Sequence, residues 1–312
     1  MKIAYMGSSD FSVPFLEKID DSRHEVTGVF TYQDKKRGRG RKLMPNPVKK
    51  CAESRGIPVH EISGCGAVFM EELSTVSFDY VVVVSFGMIL PPEVFKRWPG
   101  AWLNVHPSML PAYRGPSPMI SVLLDGADVT GVTINEVVYE VDAGRIFAQT
   151  GFNIADCDSL DDLEERTVKF GAPLLINVLD LIEDDRYEPR PQGSRGITYT
   201  VKIAAGDLRI DWSAGAGEIV NRIRALSSKP GAYTKYRDGN IKILRASVIA
   251  KGNKDASAGE IIYADKNEGL IVNCGEGGAV SLKMLQPQGK KPMDYKSYIN
   301  GYGPETGSIM GK

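Results

Sequence analysis

Residues 79–86 read Asp-Tyr-Val-Val-Val-Val-Ser-Phe. Four consecutive valines leave no polar face, and their β-branched side chains favour an extended chain. A strand that is apolar on both sides must be covered on both sides. That is the situation of an interior strand in a parallel sheet flanked by helices. The neighbouring segments agree. Ile3–Met6, Glu25–Thr31, Ile57–Ile62 and Trp102–His106 predict further strands, and 11–20, 46–56 and 67–76 predict helices between them. Asn46-Pro47 starts a helix well, with a capping side chain and a proline at the first position, and Gly56 stops it. The alternation predicts an α/β fold with a doubly wound, mostly parallel, Rossmann-like sheet.

Thr130–Val138 and Ile146–Ile154 predict two more strands, joined by a loop at Tyr139–Arg145. Residues 159–185 carry a long helical pattern that Asp156 or Asp158 would cap. Residues 186–204 are rich in Pro, Gly and Arg without periodicity and read as a linker. Beyond them the texture changes. Short β-like runs at Tyr233–Tyr236, Ile241–Ile249, Gly259–Ala264, Gly269–Asn273 and Val280–Leu285 are separated by turn residues such as Asp238-Gly239-Asn240. Five short strands predict a second, small OB-like β-barrel domain. The expected division is therefore a catalytic domain at 1–185, a linker at 186–204 and a barrel at 205–312. Two domains suit a chain of 312 residues.

Composition narrows the classes. Thirty-eight basic against thirty-nine acidic residues exclude a chain coated in positive charge. The balance is uneven: residues 1–204 hold 22 basic and 28 acidic side chains, and residues 205–312 hold 16 and 11. A mildly basic barrel tilts the expectation towards a nucleic-acid partner. The longest purely apolar run is five residues, Tyr80–Val84, far short of the roughly 20 that span a bilayer, so no membrane association is expected. Cys51, Cys65, Cys157 and Cys274 form no C-x-x-C pair, and there are three histidines, His24, His60 and His106. Free thiols in a reducing cytoplasm and no metal site are expected. His24 and His60 read as ordinary surface or strand-edge residues.

Asn104-Val105-His106 carries the chemistry. Residues two apart on a strand point to the same face. At the carboxyl end of a strand, where open α/β sheets place their sites, an amide N–H and an imidazole would aim at one reacting oxygen. Pro107 and Pro111 fix the loop that follows. Asp142, in Val141-Asp142-Ala143-Gly144, would orient the imidazole, favour its protonated form and relay a proton. Taken alone, N-x-H also fits a turn-capping asparagine beside a core histidine, and Asp142 fits an ordinary turn.

The ordered set of motifs resembles the folate-dependent formyltransferase family. Asn104–Gly115 (NVHPSMLPAYRG) followed by Asp-x-Gly at 142–144 is its site pattern. Further likeness runs through Met6–Phe11, Gly38–Pro45, Val84–Pro91, Arg209–Ser213 and Leu285–Lys291. Over nearly its whole length the chain is most similar to those members that formylate methionine carried on the initiator tRNA. The resemblance implies 10-formyltetrahydrofolate as formyl donor and the methionine α-amino group as acceptor. Asn104, His106 and Asp142 would be catalytic, with Asn104 and a protonated His106 donating to the tetrahedral oxyanion. Ser108, Met109, Leu110 and Pro111 would contact the folate, and Phe86, Gly87, Met88, Ile89 and Leu90 would supply backbone groups to its pterin. Met109 stands where the family usually has Leu, a volume-conserving exchange. Tyr113-Arg114 would touch substrate or support the loop. Gly7-Ser8-Ser9-Asp10 is not a dinucleotide fingerprint.

Residues 35–50 hold eight Lys and Arg and no acid. Such a run is either a solvated loop or a phosphate contact. By the same resemblance it enters the acceptor arm of the tRNA, through Arg39, Arg41 and Lys42. A relative acting on a sugar amine or a glycinamide nucleotide would need neither the basic loop nor the barrel. A non-catalytic RNA-binding protein would leave the three polar residues without a task. A monomer is expected.

Overall fold

The computed structural model describes residues 1–37 and 42–312, with 35–37 and 42–44 described by backbone alone. Two units emerge from the packing. The first takes Met1–Pro118, Thr130–Phe152 and Glu164–Thr200; the second takes Met119–Val129, Asn153–Leu163 and Val201–Lys312.

The first unit is built on β1 (Lys2–Gly7), β2 (Glu25–Tyr32), a small antiparallel pair β3 (Lys35–Arg37) and β4 (Lys42–Met44), then β5 (Val59–Ile62), β6 (Tyr80–Val84), β7 (Trp102–His106), β8 (Val129–Glu136) and β9 (Ile146–Asn153). The large sheet runs β5-β2-β1-β6-β7-β8-β9. Strands β5, β2, β1, β6 and β7 are parallel, and β8 returns antiparallel to β7. The chain winds outward from β1 through β2 to β5, then restarts on the other side with β6 and β7. The order reverses between β1 and β6, and the carboxyl ends of strands beside such a switch point are the usual ligand position in these sheets.

The valine strand explains the layering. Val82 and Val84 pack with Leu103, Val105, Phe15 of helix α1 (Val13–Asp20) and Leu175 and Leu179 of the long helix at Leu160–Glu183. Val81 and Val83 pack on the opposite side with Trp102, and with Phe69 and Leu73 of the helix at Ala67–Thr75. Each buried valine contributes roughly 1.5–3 kcal/mol. The helix at Pro47–Ser54 is capped as its sequence predicts: the Asn46 side chain accepts from the N–H groups of Val48 and Lys49. The cap of the helix at Leu160–Glu183 differs from expectation. Ser159 and Asp162 form it reciprocally, Asp162 Oδ2 accepting from Ser159 N at 2.8 Å, while Asp158 accepts from Ala155 N. Three-residue spacing suits this exchange, whereas Asp158 is drawn into its own preceding turn.

Residues 186–200 have little regular structure, yet they lie along the first unit. Arg190 and Ile146 exchange both backbone hydrogen bonds, at 2.7 and 2.9 Å. Arg114 N donates to Thr198 O at 2.9 Å, and Thr200 N donates to Arg114 O at 2.7 Å.

In the second unit β10 (Ala232–Tyr236), β11 (Gly239–Ile249), β14 (Ala279–Pro287), β13 (Gly269–Asn273) and β12 (Ile261–Asp265) form an antiparallel sheet in that order, with β15 (Met293–Asp294) beside β14. Helices at Ala216–Leu226 and Tyr295–Tyr302 bury Ile219, Ile223, Leu226 and Tyr298 in its core. Among the described residues no helix is long and apolar enough to cross a membrane.

Candidate active site

Alternation along β7 places Leu103 and Val105 in the core and turns Trp102, Asn104 and His106 to the other face. The register pairs Val83 of β6 with Asn104. The loops leaving the carboxyl ends of β6 and β7 therefore start side by side. The loop between β8 and β9 brings the third residue. Asp142 Oδ1 accepts from Asn104 Nδ2 at 3.4 Å, and Oδ2 lies 3.5 Å from His106 Nδ1. The firmest bond to this carboxylate is a backbone one, from Gly115 N to Oδ2 at 2.7 Å. The three residues named from the sequence thus converge. The contacts of Asn104 and His106 with Asp142 are long, which leaves the amide group able to turn towards a bound oxygen.

His106 is 3% exposed, and its Nε2 lies 3.0 Å from the Tyr113 carbonyl oxygen. A carbonyl only accepts, so the proton of the neutral ring sits on Nε2 and Nδ1 is bare towards Asp142. Burial pushes the imidazole below its ordinary pKa, against the opposing pull of Asp142 and of the Tyr113 carbonyl. Desolvation thus works against the charged ring that the resemblance implies, and favours the neutral ring at rest, while the neighbouring carboxylate works for the charge.

Three of the six non-glycine residues with positive φ among the described residues lie in these loops: Ser85 after β6, Tyr113 after β7 and Asp142 after β8. Such conformations cost of order 1–3 kcal/mol each, persist only where surrounding bonds enforce them, and gather at working sites.

The segments expected to hold folate sit at the same sheet edge. Ser108 is fully buried and donates through Oγ to Ala112 O at 2.7 Å. Leu110 is buried; its N–H donates to Thr133 Oγ1 at 3.1 Å and its carbonyl accepts from Gln149 Nε2 at 2.8 Å. Met109 and Pro111 are half-buried. In the β6 loop Phe86 stacks on Tyr32 with ring centroids 5.1 Å apart, Met88 Sδ accepts from Cys65 Sγ at 3.5 Å, and Leu90 is buried. Gly87 is exposed, and Ile89 is 80% exposed, an apolar side chain in water. Of the residues expected to touch tRNA, Arg39 and Arg41 lie outside the described residues. Lys42 opens β4, its backbone paired with Arg37.

One supporting residue, Asn135, escapes a reading of the sequence. Asn135 lies directly opposite Asn104 in the β7–β8 ladder and accepts from its Nδ2 at 3.3 Å. The antiparallel pairing was the signal that would have found it. Arg114 is 4% exposed and bonded to Gln192, Glu140 and the Tyr199 hydroxyl, a support for the loop. His60 is an edge-strand residue stacked on Phe30. His24, expected at the surface or a strand edge, is buried where the chain enters β2, its ring 3.3 Å from Asp180. With Asp180 and Glu183 it forms the one group of metal-ligand type found among the described residues. Arg23 already pairs with both of its carboxylates, with Nε 2.5 Å from Asp180 and 3.0 Å from Glu183.

Residues 1–179 match the family model of formyl transferases, and residues 202–303 match that of the formyl transferase C-terminal domain. The chain is 39% identical over 309 residues to the methionyl-tRNA formyltransferase of Sulfurihydrogenibium sp., with 98% of this chain and 99% of the relative covered. It is 36% identical over 312 residues to that of Staphylococcus epidermidis, covering 100% and 98%. Among solved structures it resembles the N-formyltransferase of Helicobacter canadensis in complex with folinic acid and dTDP-3-aminofucose. That TM-score is 0.67 at 20% identity, over 90% of this chain and 98% of the other. HypX of Aquifex aeolicus in complex with tetrahydrofolic acid gives 0.66 at 16%, over 96% and 47%. At these identities the two structures speak for a shared fold.

Proposed function

The chain belongs to the formyl transferase family, and from that membership we propose that it transfers a formyl group from 10-formyltetrahydrofolate to the α-amino group of methionine on initiator tRNA. The product is N-formylmethionyl-tRNA, which starts translation in the cytoplasm. The observation that carries the chemistry is the meeting of Asn104, His106 and Asp142 at the carboxyl ends of the sheet. The choice of acceptor is supported by relatives named for it that align over 98–99% of both chains.

The residues present suit the donor. Half-buried Phe86 and Met88 and exposed Ile89 offer apolar surface to a flat heterocycle, beside backbone groups of the β6 loop and of Ser108–Pro111. Bound there, the folate supplies a carbonyl carbon that a neutral amine attacks without a covalent enzyme intermediate. Asn104 Nδ2 turns to donate to the carbonyl oxygen as it becomes anionic, a role worth about 3–4 kcal/mol. The bare Nδ1 of His106 takes the proton that the amine sheds, and Asp142 stabilises the imidazolium so formed. That cation, created beside the oxyanion, offsets its charge and then returns the proton to the departing nitrogen. The basic segment with Arg39, Arg41 and Lys42, and the mildly basic C-terminal domain, receive the tRNA.

The test gives the full-length protein 10-formyltetrahydrofolate with charged initiator methionyl-tRNA. Parallel arms hold elongator methionyl-tRNA and a nucleotide-linked amino sugar. Formylation of the initiator tRNA at least a hundredfold faster than of the sugar is expected. Transfer to the sugar alone would overturn the assignment.

A further inference from the structure

Gln192 lies in the aperiodic segment that reads from its sequence as a linker. It is half-buried between exposed neighbours. Its amide makes four hydrogen bonds. Nε2 donates to the backbone carbonyls of Asp142 at 2.7 Å and Gly144 at 2.8 Å. Oε1 accepts from Arg114 Nε at 3.2 Å and from Nη2 at 2.8 Å. Two donors and two lone pairs are the full capacity of the group. The orientation of the amide is fixed by chemistry, because carbonyls only accept and a guanidinium only donates.

Those four bonds reach Asp142 from two sides. One side is its own backbone, held at φ 53°, a left-handed conformation that a non-glycine residue keeps only under constraint. The other side is its carboxylate. Gly115, whose N–H holds Oδ2 at 2.7 Å, directly follows Arg114, and Arg114 is buried. A single amide therefore ties the main chain of Asp142 to the residue next to the donor that holds its side chain.

We propose that Gln192 is a positioning residue for formyl transfer, setting the carboxylate of Asp142 against His106 and Asn104. The inference rests on the functional reading above and adds a residue to it. It gives the supposed linker a task in catalysis.

Gln192→Glu separates positioning from folding. A carboxylate still accepts from Arg114, while neither of its oxygens donates to the two carbonyls. The variant is expected to lose roughly ten- to a hundredfold in kcat, with KM for both substrates within threefold, as for a misplaced catalytic group. Its Tm should stay within a few degrees of wild type. The Gly115 amide should exchange its hydrogen at least tenfold faster, with amides of β7 unchanged. Gln192→Ala, which loses all four bonds, should show the same pattern more strongly. A kcat within twofold of wild type in both variants would overturn the proposal. So would a lowered kcat with Gly115 exchange unaltered. If wild-type protein formylates no acceptor while Gly115 exchange responds to Gln192, the functional reading falls and the structural clamp stands.

Discussion

His106→Ala is expected to lower kcat for formyl transfer by about 10³–10⁴-fold, combining loss of the proton acceptor with loss of the cation that faces the oxyanion. Binding of the tRNA should change little, since the ring is buried and reaches the Tyr113 carbonyl and Asp142. Removing the ring also leaves that carbonyl without its partner, at a stability cost of about 1–3 kcal/mol. The pH profile of the wild type tells how the ring works. Burial sets its pKa below 6.5 in the folded protein. The neutral, proton-accepting form is therefore the working form at pH 7, and kcat/KM, which reports the free enzyme, should fall only as pH drops below 6.5. A ring that worked as a standing cation would give the opposite limb, with activity falling as pH rises. Steady-state kinetics from pH 5 to 8 distinguish the two, and an alanine variant within tenfold of wild type would remove His106 from the chemistry.

Gly144→Ala should be nearly as damaging although it removes no functional group. A Cβ placed on Gly144 would lie 1.9 Å from the Glu136 backbone oxygen and 2.7 Å from its carbonyl carbon. Glu136 ends β8 and is held by its own ladder, with its N–H donating to Arg145 O at 2.8 Å. The loop must give way, and Asp142 lies two residues back on it. A displacement near 1 Å costs about a hundredfold in kcat, and overpacking of this kind costs roughly 1–3 kcal/mol of stability. Kinetics alongside urea unfolding give both numbers. Unchanged kcat in a folded variant would mean that the loop tolerates movement and that Asp142 needs no fine placement.

What was legible in the sequence was what periodicity and spacing encode. Tyr80–Val84 announced a strand covered on both faces, and the two-residue spacing of Asn104 and His106 put them on one face. The Asp-x-Gly pair marked the loop, and the structure adds why the glycine is there: close approach to Glu136. Other features depend on tertiary placement and leave no local pattern. Burial, which decides the charge of His106, is invisible in an N-x-H triplet. Gln192 sits in a stretch of Pro, Gly and Arg whose docking along β9 and the Arg114 loop follows no repeat. His24 is concealed in the same way: its sequence neighbours are polar, but the last turn of the helix it meets, at Asp180 and Glu183, lies more than 150 residues later. The resemblance to formyltransferases carried the remainder, because the ordered motifs identify a family that no single triplet could.

The central claim is that Asn104, His106 and Asp142 act as one device. A double-mutant cycle on kcat with His106→Ala, Asp142→Asn and the combined variant tests it most directly. Groups that work as a unit lose their effect once, so the double variant should be no more than about threefold slower than the slower single variant. Losses that multiply, giving a double variant slower by the product of the two single effects, would show that histidine and aspartate act independently and would contradict the account.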